Sequence, residues 1–285
     1  MLQKSTIQLL RFPFSFFLLP VYLFALSFLP AIHFCRAIWV FVLLHLLLYP
    51  ASNGYNSYMD RDEGSIGGIK NPMQPTKQLF YATMLLDLLA CIIALAISAT
   101  SLLLVVTYIV FSRLYSYRGV RLKQFPIIGF LTVILNQGAT IFYLVYHAAS
   151  SDLTTHIPIT GLIISTLLIG GFYPITQVYQ HGQDAKDGVK TISMLLGAKG
   201  TFIFCAVLYS LSFGLLFQHF FALRQLRSFI IVQILFAPVI VYFLYWFVLV
   251  CRDGTMANFK HTMNMNWLAS TCTNTAFLAL IFLNH

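Results

Sequence analysis

Charge is what this sequence has least of. Only 9% of its 285 residues are Asp, Glu, Lys or Arg, 59% are hydrophobic, and the mean hydropathy is +0.82. A water-soluble domain carries roughly a quarter of its residues charged, so a soluble globular fold is excluded and lipid is the solvent. Acids are scarcer than bases, eight against seventeen, for a net charge of +9. The bases fall singly between apolar runs and never gather into a stripe with aromatics, so no nucleic-acid partner is expected. The five cysteines are widely separated and contain no CxxC, which argues against a metal knuckle or disulfide framework and for packing residues. A cleavable signal peptide is not expected either, because Arg11 and Pro13 interrupt the first apolar stretch and no small-residue cleavage site follows.

What is present is a succession of apolar runs of about 20 residues, the length that crosses a bilayer. Nine are expected, with edges near 12–29, 33–52, 79–97, 99–116, 126–148, 157–178, 201–221, 228–250 and 266–283. The chain reads as a single all-α membrane domain over 1–285, with polar loops near 53–78 and 177–199. Nine spans with an inside N-terminus put 14 of the 17 Lys and Arg residues on the inner side and only Arg36, Arg224 and Arg227 outside. The positive-inside rule therefore supports both the count and the orientation, with the N-terminus and both polar loops cytoplasmic.

Five of the eight carboxylates lie in those loops: Asp60, Asp62 and Glu63 after the second span, Asp184 and Asp187 after the sixth. Acids crowded near a membrane surface repel one another unless a cation compensates. If the second helix continues to about Glu63, then Asn53, Asn56, Asp60 and Glu63 share one face. That column of oxygen ligands, without sulfur or imidazole, suits Mg2+. Gln180 and Asp184 repeat the spacing in the second window, where Gly188 ends the helix.

At these residues the chain resembles the UbiA family of intramembrane prenyltransferases, which have nine transmembrane helices in a ring and the motifs NxxxDxxxD after helix 2 and DxxxD after helix 6. Leu10-Arg11-Phe12-Pro13 is similar to the family's opening Arg-Pro region, Tyr115 to Lys123 to its tyrosine-led basic stretch, and Asp184 to Thr191 to the end of its second motif. The chain departs from the pattern in three places. The third position of the first motif is Gly64, with Asp62 or Glu63 as substitute ligands; the leading position of the second is Gln180, with Asp187 as a replacement charge; and Asn71-Pro72 stands for the usual Arg-Pro. The resemblance implies transfer of an isoprenoid from an allylic prenyl diphosphate to a lipophilic, aromatic acceptor within the lipid bilayer, with Mg2+ as cofactor. Asp60 and Asp184 are the expected catalytic pair. The metal set is Asn56, Asp60, Asp62, Glu63, Gln180, Asp184 and Asp187. Arg121 and Lys123 are the first diphosphate ligands expected, followed by Lys70, Lys77, Arg118 and Lys190. The alternative is a non-catalytic relative or carrier that binds a polyprenyl diphosphate or another lipid.

Three polar sites inside spans stand apart. Asp87 in the third span either contributes to an acceptor site or is a hydrogen-bonded structural residue. Asn136 and Gln137 beside Gly138 either line a pocket, as Asn53 does at the end of the second span, or bond neighbouring helices. His45 reads as a satisfied interior histidine.

Overall fold

The computed structural model describes residues 2–284. Among these, nine helices are long and apolar enough to cross a membrane: α1 (Lys4–Ser27), α2 (Phe34–Asp60), α3 (Lys77–Ile97), α4 (Ala99–Ser116), α5 (Pro126–Ala149), α6 (Ile159–Gln177), α7 (Ile192–Ala222), α8 (Leu226–Arg252) and α9 (Phe259–Leu283). Helices satisfy every backbone polar group within themselves, which is what a hydrocarbon solvent demands. Leu85, Leu88, Ile92 and Leu95 of α3 and Ile234 and Val241 of α8 are exposed, forming the lipid-facing surface.

Each helix packs against its neighbours in the chain, and α9 closes onto α1 to complete a ring. One half of the ring is filled. There the C-terminal part of α1 crosses to α5, and Phe24, Phe142 and Phe277 are essentially inaccessible. The other half, where the polar loops lie, is hollow.

Several helices reach further than the apolar runs suggest, each for a local reason. α1 begins at Lys4 because Arg11 and Pro13 kink it instead of ending it. Arg11 adopts a left-handed conformation (φ 50°) and Phe12–Phe17 continue as a tighter 3-10 turn. α9 begins at Phe259 because its polar opening turns face the hollow, where Met263 and Asn266 form part of the wall. α7 begins at Ile192 and bends at Gly197 (φ 68°).

Two wide π turns interrupt the ring, Leu43–Leu48 in α2 and Leu135–Thr140 in α5. The second surrounds Gly138, where α5 and α6 nearly touch. A Cβ at Gly138 would lie 2.6 Å from Thr166 Cα and 3.0 Å from Ser165 O.

Candidate active site

The end of α2 sets the first half of the site. Asn53, Asn56 and Asp60 all line the hollow. The helix stops at Asp60 because Arg61 turns left-handed (φ 54°), its N–H returning to Ser57 O at 3.1 Å. The expected continuation to Glu63 does not occur. The reversal brings Asp62 back to the cavity wall and leaves Glu63 exposed and outside it.

The second half follows α6, which ends in the turn Pro174–Gln177 and is succeeded by the short helix His181–Lys186. Gln180 stands at its N-terminus and Asp184 one turn on. Both line the cavity, and Gly188 (φ 68°) ends the segment, with Val189 N–H donating to Asp184 O at 2.9 Å. The two loops clasp each other. Gln183 Nε2 donates to Asp62 Oδ1 at 2.6 Å, and Gln180 Nε2 to Ser65 O at 3.4 Å. At Gly64 a Cβ would meet Gln183 Oε1 at 2.5 Å, so a side chain there would have to displace the Gln183 amide that bonds Asp62.

The connection from α4 to α5 supplies the cations. Arg121, left-handed at φ 50°, directs its guanidinium to the carboxylate of Asp187, bonds Asp187 O at 2.9 Å and lies 3.6 Å from Asp60. Lys123 Nζ is 2.5 Å from Asp60 Oδ1, and both side chains are at most 10% exposed. Arg118 lies at the rim, 3.5 Å from Asp187 Oδ1, and donates to Met59 O at 2.7 Å. Lys70 and Lys190 are exposed and do not line the cavity. Asp87 is also elsewhere. It pairs with Arg113, whose guanidinium covers the Tyr55 ring at 3.9 Å, in a groove along α3 and α4.

The cavity has a volume of about 220 Å³. Its floor is aromatic and apolar, with Tyr108, Phe111, Ile169 and Phe172, and Tyr115 and Tyr173 share a 2.5 Å hydroxyl contact in its wall. Several wall residues were not among the site residues expected from the sequence. Arg11 bonds Asn53 O (3.3 Å) and Gly67 O (3.4 Å) and lies over Phe14. Gln177 and Asn266 present buried side-chain oxygens without hydrogen-bond partners, as does Asn136, whose Nδ2 donates to Tyr108 O at 3.1 Å. Arg11 was expected just before the first span, near residue 12, so its place inside α1 was not legible. For Gln177 and Asn266 no spacing marked them.

Burial pushes the Asp62 carboxyl up to about 6, and the nearby Asp60 charge pushes in the same direction while Lys123 opposes it. Asp184 also rises to about 6. Burial is the main cause, Lys123 opposes it, and Asp62, Asp60 and Asp187 add repulsion. Among the described residues the Asp184 side chain makes no hydrogen bond or ion pair. No three acidic, histidine or cysteine side chains there close into a ready-made chelate. The donors are nevertheless all oxygen, converge on one cavity and repel one another. That arrangement fits a hard divalent cation whose remaining ligands come from a bound anion.

Fold and site together define an integral multi-pass membrane protein with an acid-lined and base-lined cavity at one end of a helical ring. A sequence profile of the UbiA prenyltransferase family matches residues 14–268, and the chain belongs to that family. No curated protein matches it in sequence. Its fold is similar to that of a UbiA homologue from Archaeoglobus fulgidus solved with DMAPP and Mg2+ (19% identity, 98% of this chain and 99% of that one covered, TM-score 0.69). An apo UbiA homologue from Aeropyrum pernix K1 is similar at 18% identity, with 96% and 98% covered and a TM-score of 0.68. A structure concerned with digeranylgeranylglyceryl phosphate synthase is similar at 19% identity, with 98% and 97% covered and a TM-score of 0.61.

Proposed function

We propose that the chain is a Mg2+-dependent prenyltransferase that moves an isoprenoid from an allylic prenyl diphosphate to a lipophilic acceptor. The observation that carries this reading is the meeting of Asp60, Asp62, Asp184 and Asp187 with Lys123 and Arg121 at the mouth of an apolar space. A cationic or neutral headgroup has no use for both carboxylates and bases; a diphosphate held with a dication uses both. The Archaeoglobus homologue solved with DMAPP and Mg2+ supports the same ligand pair here.

Asp60, Asp62, Asp184 and Asp187, with the Asn56 amide oxygen, are the residues to hold Mg2+. The ion would neutralise charge on the leaving diphosphate as its bond to carbon weakens. Lys123 and Arg121 bind diphosphate oxygens, and Arg118 at the rim guides the anion inward. The C1–O bond breaks with its electron pair leaving on the diphosphate, the acceptor's nucleophilic atom bonds to C1, and the acceptor loses a proton. Tyr115, Tyr173, Phe111 and Phe172 line the cavity, where they would exclude water and supply aromatic rings to stabilise the allylic cation. Asn136, Gln177 and Asn266 offer their unpartnered oxygens to orient the acceptor.

The site faces the cytoplasm in this reading, following the distribution of Lys and Arg. A second reading, a binding protein without turnover, is favoured by Gln180, whose amide serves the loop clasp instead of adding a carboxylate. One experiment separates the two: purified protein incubated with Mg2+, labelled prenyl diphosphates and a panel of lipophilic acceptors. Metal-dependent diphosphate release, lost in Asp60→Ala and Asp184→Ala, is expected; binding without release selects the second reading.

A further inference from the structure

Three lysine or arginine side chains are buried among the described residues, Arg11, Arg121 and Lys123, each 8–9% exposed. Arg121 and Lys123 meet carboxylates, whereas Arg11 forms no ion pair there. Its guanidinium is held by two neutral carbonyls, Asn53 O at 3.3 Å and Gly67 O at 3.4 Å, and by the Phe14 ring at 5.2 Å. Asp62 and Asp60 attract it only from beyond ion-pair distance. Arg11 Nε has no hydrogen-bond partner and neither has Asn53 Nδ2, so two residues in contact in the cavity wall each keep an unused buried donor. The local backbone is shaped around this arginine. Arg11 takes the left-handed conformation that a side chain disfavours (φ 50°), and at Gly67 a Cβ would meet Phe14 Cε2 at 2.7 Å and Arg11 Nη1 at 3.4 Å.

A buried charge without a counter-ion is costly unless a ligand supplies one. The need grows once a dication takes Asp60 and Asp62, because their attraction is then lost to Arg11. Depth separates this charge from the diphosphate bases. Arg121 and Lys123 lie in the connection between α4 and α5, level with Asp60 at the end of α2. Asn53, which holds Arg11, is roughly 10 Å further into the bundle along α2, and Asn266 is roughly 10 Å from the start of α9, at 1.5 Å per residue. We infer that Arg11 and Asn53 form a second anion subsite, which receives a carboxylate or phosphate borne by the acceptor and not the diphosphate of the donor, a reading that rests on the prenyl transfer proposed above. The acceptor then presents an oxyanion toward α1 and α2, and donating hydroxyl groups toward the unpartnered oxygens of Asn136, Gln177 and Asn266. The planar guanidinium suits either oxyanion. A neutral acceptor leaves Arg11 without its counter-ion.

The test is acceptor binding to the full chain in lipid nanodiscs, with Mg2+ and farnesyl thiolodiphosphate present to fill the donor site without turnover. Three anionic probes, a hydroxybenzoate, a hydroxynaphthoate and an alkylglycerol phosphate, are each compared with an uncharged counterpart, the two carboxamides and the alkylglycerol. At least one anionic probe is expected to bind about tenfold or more tightly than its counterpart, and which of them does so tells a carboxylate from a phosphate. Arg11→Gln is expected to bring that ratio near one, and Asn53→Ala to lower it severalfold. Each ratio is taken within one variant, so a general loss of folded protein cancels. Arg11→Lys, which keeps the charge but not the fork, is expected to retain part of the preference should Arg11→Gln not fold. Equal binding within every pair, no binding by any anionic probe, or a ratio unmoved by Arg11→Gln and Asn53→Ala overturns the subsite while leaving the donor site standing. A loss of farnesyl thiolodiphosphate affinity in Arg11→Gln as large as the loss of acceptor preference assigns the residue to the donor and overturns the subsite as well. Failure of the thiolodiphosphate to bind the native chain overturns the donor site and the subsite together.

Discussion

Asp62 and Asp184 illustrate how much chemistry depends on single side chains here. An unfolded chain releases carboxyl protons near pH 4, whereas in the folded chain burial and neighbouring carboxylates hold both groups near 6. Between those values the folded state carries the extra protons, so this pair's contribution to stability falls as pH rises through the window and is regained on acidification. Dications and protons compete for the same oxygens. Thermal unfolding in detergent is therefore expected to show Mg2+ stabilisation near pH 7.5 that disappears near pH 5 and is absent in Asp62→Asn/Asp184→Asn; a metal effect that survives the double substitution removes these residues from the ligand set. Lys123 is constrained differently. Lys123→Ala leaves the buried Asp60 carboxylate with only the more distant Arg121, 3.6 Å away, and is expected to cost about 1.5–3 kcal/mol, most of it recovered in Asp60→Asn/Lys123→Met; equal losses in both variants refute the pairing as its cause. The carboxylates were readable because acids are so rare in this chain that five in two loops stand out. Glu63 was nominated on a helical spacing that the break at Arg61 ends, and Lys70 and Lys190 on proximity in sequence; their exposure follows from turns that no spacing rule encodes.

At the scale of helices, the apolar runs located every span, because twenty greasy residues leave few other readings. What the runs missed were the extensions, since a helix that faces a polar hollow keeps its geometry while losing its apolar character. α9 and the last turns of α2 are both of this kind. The left-handed break at Arg61 was likewise hidden, because arginine carries no preference for that conformation. Gly138, by contrast, was legible as a point of close approach. Gly138→Ala places a methyl against the backbone of Thr166 and Ser165 and is expected to destabilise by about 1–3 kcal/mol, seen as a lower unfolding midpoint; an unchanged midpoint means that α5 and α6 are not in contact there.

For the molecule as a whole, the charge distribution carried an inference that no local motif contains: two windows more than a hundred residues apart share one face of the bilayer. The clasp between Gln183 and Asp62 joins them. Which face this is can be read from native cysteines. Cys35, at the start of α2, and Cys251, at the end of α8, are both exposed and sit at opposite ends of the ring. A membrane-impermeant maleimide applied to intact cells is expected to label Cys35 and spare Cys251; the reverse pattern inverts the orientation. The interior was much less legible. Arg11, Gln177 and Asn266 come from three helices far apart in sequence, and only ring closure between α9 and α1 brings the outermost of them together.

The pairing of Asp60 with Lys123, and of Asp187 with Arg121, has a thermodynamic corollary. In this resting arrangement each of these two cations already has its counter-ion. A dication that takes the carboxylates alone orphans a lysine or arginine, and a polyanion that takes the bases alone orphans an aspartate; either event is penalised in a low-dielectric wall. When both arrive, wall and ligands swap partners as in a salt metathesis, with no charge left over. Occupancy by either ion must then sharpen affinity for the other by one common factor, so that the pocket behaves as a coincidence detector for the complete ion pair.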